Sequence, residues 1–301
     1  MKKMKNNTRL DSSPARQVRF AFFGTSHIAV MVLDALAAAG FTPSLIVTLP
    51  EKKKGRGLEE KKTDVAVWAD SHAIPLAHEW TDFENGSWDV AIVVDYGKIL
   101  PRTVLGIPRH GFLNMHPSLL PRFRGPSPMR SAILHDERNT GVTVMQVDEE
   151  LDHGPIIAQK KVALKEWPLR NSELENILVP EGGALLARIL PEYVADNITP
   201  TEQNHDVATY SEKFTKADGL LDLSDDAYRN LLKIRAFEKW PGTHAFFTRP
   251  STHSGQAGKT VRVAILDADI INGKLYIHTV KPEGKNEMRY EEFLRSGAKP
   301  I

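Results

Sequence analysis

The sequence predicts an α/β fold: a parallel sheet covered by helices, followed by a smaller, strand-dominated domain of the β-barrel type. Three observations predict it. Short apolar runs alternate with helical periodicities through the first two thirds of the chain, the pattern of βαβ units. The remainder reads mainly as strands. Between them, Asp196–Tyr210 is polar and aperiodic, which marks a linker.

A length of 301 residues allows one large domain or two ordinary ones. Hydrophobic residues make up 41% and charged residues 26%, the balance of a soluble globular chain. No apolar stretch is long enough to cross a bilayer. The net charge of +1 leaves nucleic-acid contacts to local patches. The absence of cysteine excludes disulfides, thiolate catalysis and cysteine-based zinc sites. Residues 1–17 carry Lys2, Lys3, Lys5, Arg9 and Arg16 without an apolar segment, so they are no signal peptide. They read as a disordered basic tail, a basic arm touching RNA being the other reading, and the cytoplasm is the default location.

Val18–Phe23 is a short apolar strand ending at Gly24. Thr25 or Ser26 can cap the Ala/Leu-rich helix Ile28–Ala39, which Gly40 stops. Thr42–Thr48 and Val90–Val94 are further strands, with the helix Asp64–His72 between them. Gly111–Met115 is a strand and Ser127–Leu134 a helix. Asn139-Thr140-Gly141 signals a turn before an apolar strand carrying Val142, Val144 and Val147. Gly154–Val162 is the next strand. Asn171–Val194 has helical periodicity, but Pro180, Gly182 and Gly183 predict a kink or two helices. Beyond the linker come the helix Asp226–Ile234, a turn with a packed aromatic at Trp240-Pro241-Gly242, and strands at His244–Thr248, Thr260–Ala268 and Lys274–Lys281. A short helix follows at Tyr290–Arg295.

Asn114 and His116 hold the most informative positions. Residues i and i+2 of a strand share a face, so an amide and an imidazole project together where Pro117 ends the strand. Open α/β sheets bind ligands at such carboxyl ends. An imidazole exchanges protons near neutral pH, and an amide N–H can steady an oxyanion as a carbonyl becomes tetrahedral. Asp152, between an apolar strand and Gly154, could orient the imidazole. The three suit acyl transfer to an amine. On residues alone, a lone His near a strand end, as His116 is, reads more often as structural, while Asp148, Glu149 and Glu150 read equally as solvated acids, and Arg122 and Arg124 as flanks of a solvated loop.

The run Asn114-Met115-His116-Pro117-Ser118-Leu119-Leu120-Pro121-Arg122-Phe123-Arg124-Gly125 resembles the central motif of the folate-dependent formyltransferases. Thr140-Gly141-Val142-Thr143-Val144-Met145 and Leu151-Asp152-His153-Gly154-Pro155-Ile156-Ile157 follow in the family's order. Within the superfamily the chain is most similar to the branch acting on methionyl-tRNA. Phe22-Phe23-Gly24-Thr25, Asp95-Tyr96-Gly97-Lys98-Ile99-Leu100-Pro101, Lys216-Ala217-Asp218-Gly219, Trp240-Pro241-Gly242 and Lys281-Pro282-Glu283-Gly284-Lys285 carry that likeness.

The resemblance implies a Rossmann-like formyltransferase domain over 18–203 and a C-terminal OB-like, tRNA-binding barrel over 204–301. It implies 10-formyltetrahydrofolate as co-substrate, no metal, and initiator methionyl-tRNA as acceptor, in a monomer away from membranes. It assigns catalysis to Asn114, His116 and Asp152. Folate contacts fall to Tyr96, Gly97, Ser118, Leu119, Leu120, Pro121 and Asp148. The tRNA contacts fall to Lys52, Lys53, Lys54 and Arg56, whose basic loop reads otherwise as a solvated charged loop diluted by Glu51, Glu59 and Glu60. The chain departs from the family at His153, where Thr is frequent, at Pro180, and around Ser251–Gly258, where the barrel strands look abbreviated. A sugar-nucleotide N-formyltransferase using the same donor is the alternative. A noncatalytic RNA-binding module would leave Asn114, His116 and Asp152 unused. A dinucleotide oxidoreductase would need spaced glycines where Gly24 stands alone.

Overall fold

The computed structural model describes residues 18–54, 59–249 and 259–301. The expected tail 1–17, Arg56 and the stretch Ser251–Gly258 lie outside the described residues. In chain order the elements are β1 (Phe20–Gly24), α1 (His27–Ala38), β2 (Leu45–Val47), β3 (Lys52–Lys54), β4 (Glu59–Lys61), α2 (Asp64–Ser71), β5 (Leu76–Ala77), α3 (Thr81–Glu84), β6 (Val90–Val94), α4 (Arg102–Leu105) and β7 (Phe112–His116). There follow α5 (Pro128–Leu134), β8 (Thr140–Gln146), β9 (Ile156–Val162), α6 (Asn171–Val194), α7 (Ala227–Ala236), β10 (Thr243–Arg249), β11 (Lys259–Ile271), β12 (Lys274–Pro282), β13 (Met288–Arg289), α8 (Tyr290–Leu294) and β14 (Lys299–Pro300).

A seven-stranded sheet in the order β5-β2-β1-β6-β7-β8-β9 forms the first layer system. The strands from β5 to β7 run parallel, whereas β8 and β9 pair antiparallel, so the sheet is mixed rather than wholly parallel. Along β1, Phe20 and Phe22 face one core layer and Ala21 and Phe23 the other, as the period of two requires. The same alternation sends Leu113 and Met115 of β7 into the layer shared with α1 and α6. Phe112 faces the opposite layer. Asn114 and His116 therefore share the face of Phe112.

Several expectations are corrected. Thr140 and Gly141 do not turn but begin β8; a Cβ at Gly141 would stand 2.2 Å from the Lys160 carbonyl oxygen, so this glycine serves close strand approach. α6 runs as one helix through Pro180, Gly182 and Gly183. Its glycines are contact points: a Cβ at Gly182 would meet Met115 Sδ at 2.4 Å, and one at Gly183 would meet Ala35 Cβ at 2.6 Å. Burial of Leu174, Leu178, Leu185, Leu186, Ile189 and Leu190, each worth about 1.5–3 kcal/mol, outweighs the ~3 kcal/mol cost of a helix proline. Within the basic stretch, β3 and β4 are strands that pair antiparallel rather than open loop. Trp240 is half-exposed in its turn rather than packed.

The second sheet is antiparallel, five-stranded and ordered β13-β12-β11-β10-β14, in keeping with the barrel-like domain expected. Its core holds Phe247, Val263, Ile265, Val280 and Phe293. The linker is strapped to the first domain. Thr201 exchanges backbone hydrogen bonds with Ile156, and Arg124 N donates to Thr209 O at 2.8 Å.

Candidate active site

The site forms where β7 ends and two loops fold back over it. Within the first loop Ser118 N donates to His116 O, and Ser118 Oγ donates to Arg122 O at 2.6 Å. Thr143 Oγ1, from β8, donates to Ser118 O at 2.7 Å and accepts from Leu120 N at 3.2 Å. Phe123 and Gly125 adopt left-handed backbone conformations, at φ 56° and 108°. These turns bring the Phe123 carbonyl over the imidazole of His116. A carbonyl can only accept, so His116 Nε2 carries the hydrogen of that 2.9 Å bond.

The other ring nitrogen, Nδ1, stands 3.6 Å from Asp152 Oδ2. Asp152 lies in the β8–β9 loop at φ 48°, and its Oδ2 accepts from Gly125 N at 2.7 Å. The imidazole is 6% exposed and the carboxylate 10%, so neither is a surface group. Asp152 Oδ1 and the carboxamide of Asn114 have no hydrogen-bond partner among the described residues. These are the atoms left for a bound substrate. The structure thus brings Asn114, His116 and Asp152 to one end of β7, on one face of the sheet.

The other expected residues divide. Tyr96 is buried in the core beside Phe23, and its hydroxyl accepts from Trp80 Nε1 at 3.3 Å. Burial pushes that hydroxyl's pKa up, against the opposing hydrogen bond from Trp80. Gly97 is exposed at φ 84°. Ser118 and Leu120 are buried within the loop and Leu119 and Pro121 half-buried, so this segment offers ligands backbone more than side chains. Asp148 Oδ2 is engaged by His153 Nδ1 at 2.6 Å. The backbones of Lys52, Lys53 and Lys54 form β3; their side chains, like Arg56, lie outside the described residues. Among the described residues no group of three or more His, Asp or Glu is placed to hold a metal ion.

Arg124 does not flank a solvated loop but is fully buried. Its Nε and Nη2 donate to Gln203 Oε1 at 3.1 and 2.7 Å, and Nη2 also donates to His205 Nδ1 at 2.8 Å. His205 stacks on His153 at 4.1 Å. Arg122 is exposed and paired with Glu137 at 2.6 Å, and Glu149 pairs with Arg102 at 3.1 Å. Sequence reasoning missed Gln203, because a polar residue in a polar stretch carries no periodic signal. It also missed a second polar group at the carboxyl ends of β1 and β6. There Ser26 Oγ donates to Asp95 Oδ2, and His27 Nε2 meets Glu175 Oε1 at 2.5 Å. Arg130, close to Glu175 and Asp95, keeps a buried Nε without a partner, and burial lowers its pKa.

A family model described as "Formyl transferase" matches residues 18–190. A methionyl-tRNA formyltransferase of Thermus thermophilus is 35% identical over 92% of this chain and 96% of its own length. One of Deinococcus radiodurans is 37% identical over 91% of both chains. Among solved structures, an N-formyltransferase from Helicobacter canadensis in complex with folinic acid and dTDP-3-aminofucose matches with a TM-score of 0.62 at 17% identity, covering 86% of this chain and 98% of its own. HypX from Aquifex aeolicus in complex with tetrahydrofolic acid matches with a TM-score of 0.59 at 16% identity, over 92% of this chain and 47% of its own. The structural likenesses show the fold.

Proposed function

The chain belongs to the formyl transferase family, in its methionyl-tRNA branch, and from that premise we propose that it transfers the formyl group of 10-formyltetrahydrofolate to the α-amino group of initiator methionyl-tRNA. A sugar N-formyltransferase from a Shewanella species shares the fold at far lower identity, 17%. The observation that carries the catalytic reading is the buried His116–Asp152 pair beside the unpartnered amide of Asn114.

Attack of the neutral amine on the formyl carbon creates a tetrahedral oxyanion and leaves the amine one proton too rich; collapse re-forms the carbonyl and breaks the bond to N10 of the donor, which leaves as tetrahydrofolate by taking up a proton to balance the one the amine gives up. Asn114, whose carboxamide is free, donates to the oxyanion. His116 spends Nε2 on the Phe123 carbonyl and turns Nδ1 to Asp152, so its part is charge beside the oxyanion rather than a direct hydrogen bond. Asp152 keeps Oδ2 on Gly125 N and His116 and presents Oδ1 to the departing proton. Folate lies along the backbones of Gly97, Leu119, Pro121 and the Asp148 loop. Lys52, Lys53, Lys54 and Arg56 contact acceptor phosphates, and the C-terminal barrel binds the same tRNA. The enzyme acts as a cytoplasmic monomer, and among the described residues no helix is long and apolar enough to cross a membrane.

The test is turnover of labelled formyl donor with charged initiator tRNA, in competition with an amino-sugar nucleotide. Formyl-methionyl-tRNA is the expected product, unaffected by the sugar; folded enzyme that formylates only the sugar, or nothing, overturns the assignment. Asn114→Ala lowers kcat by about 10²–10³-fold with an unchanged melting curve. Neutralising Lys52, Lys53, Lys54 and Arg56 together raises KM for tRNA without changing KM for folate, and flattens its salt dependence.

A further inference from the structure

We propose that Gln203, in the segment joining the two domains, is a positioning residue for Asp152. The assignment rests on the catalytic role given to Asp152 above. Gln203 is 5% exposed, although its neighbours Glu202 and Asn204 are open to solvent. Its Nε2 donates to Asp152 O at 3.0 Å and to Gly154 O at 2.7 Å. Both amide hydrogens are thus spent on the two carbonyls that bracket His153. Its Oε1 takes the two hydrogen bonds from Arg124.

The orientation of this amide is fixed by its surroundings. Arg124 has five N–H donors and no acceptor, so only the oxygen of Gln203 can face it. No carboxylate pairs with the buried guanidinium among the described residues; Gln203 Oε1, His205 Nδ1 and the face of Tyr210, 6.0 Å away, stand around it. Bonds from a charged donor polarise the acceptor amide and sharpen its own N–H groups. The charge of Arg124 therefore acts through Gln203 on the backbone of the Asp152 loop.

That backbone needs holding. Asp152 is not glycine and sits at φ 48°, a conformation L-residues adopt sparingly. Release into an extended conformation would swing the carboxylate off Gly125 N and away from His116 Nδ1. Arg124 tightens the arrangement from the other side, because it immediately precedes Gly125, whose N–H holds the carboxylate. Backbone and side chain of Asp152 are thus gripped by one unit, Arg124–Gln203. A displacement of about 1 Å at a reacting group can cost 10²-fold in rate.

Gln203→Glu separates this role from packing. It keeps the volume and the bonds from Arg124 but removes both donors to the loop. The expected result is a kcat at least tenfold lower per folded enzyme, with KM for folate and for charged tRNA within threefold of wild type. The deciding measurement is the cycle with Asp152→Asn. If Gln203 acts through Asp152, adding Gln203→Glu to Asp152→Asn costs less than twofold. A wild-type kcat in Gln203→Glu, or a loss that multiplies fully in the double variant, overturns the proposal. Should Gln203→Glu fail to fold, Gln203→Met, which buries no charge, goes through the same cycle with the same outcomes. Wild-type turnover undiminished in Asp152→Asn would instead remove the catalytic role of Asp152 itself.

Discussion

Gly154 shows how little freedom single residues have at this centre. A Cβ there would lie 2.0 Å from the Gln146 carbonyl oxygen, a backbone atom that cannot swing aside. Gly154→Ala should destabilise by about 1–3 kcal/mol, and turnover of the folded fraction should fall further, since Asp152 lies two residues away. Melting and active-site-normalised kcat, measured on one preparation, check this; loss of stability with full turnover would contradict it. The same scale shows what a sequence reveals. Asn114 and His116 are legible because a strand's period of two places them on one face. The meeting of Asp152 with His116 is not, because it depends on left-handed turns at Phe123 and Asp152 that no periodicity announces. The family motif supplied what the pattern could not. Gln203 had neither kind of signal.

For elements, α6 is the instructive case. Pro180 and two glycines read as a break, yet the helix continues because its buried face repays the local cost. Pro180 is exposed, so its missing N–H leaves the Asn176 carbonyl turned toward water rather than stranded in the core. Pro180→Ala should therefore restore the helical bond without a clash and raise stability by about 1–3 kcal/mol, read as a higher melting midpoint. A lower midpoint would mean that the proline is required. Strand positions were legible in β1, β6, β7 and β8, but the reversal of direction at β8 was not. Side chains alternate with the same period in parallel and antiparallel strands, so apolar pattern alone does not give polarity. The linker misled for a related reason: its contacts with Ile156 and Arg124 run through backbone atoms, which leave no mark on composition.

Across the whole molecule, the two sheets are joined by charge as well as by chain. Arg170, at the start of α6, donates to Asp267 of β11 and lies 3.8 Å from Glu238, both in the second domain; inside that domain Arg235 of α7 donates to Asp269, also of β11, at 2.6 Å. The second domain also carries a pH-sensitive group. His244 is buried, its Nδ1 lacks a partner, and burial, aided by repulsion from Arg262, lowers its pKa from the usual 6.5. The unfolded chain then binds a proton near pH 6.5 that the folded chain refuses until lower pH. Stability is full above that value and is lost as pH falls toward the lowered one. His244→Gln should flatten the dependence of melting midpoint on pH in this window, and parallel curves for variant and wild type would contradict the prediction. The two-domain plan was legible because composition changes along the chain; the bridging ion pairs, distant in sequence, were not. α6 itself begins at this bridge and runs beneath the first sheet, where Gly182, halfway along the helix, lies under Met115, the residue between Asn114 and His116. The altitude of the reacting amide and imidazole above their supporting helix is thus set by a lone hydrogen atom. Any bulkier substituent at that spot would lift the floor of the reaction chamber without touching a single group that does chemistry.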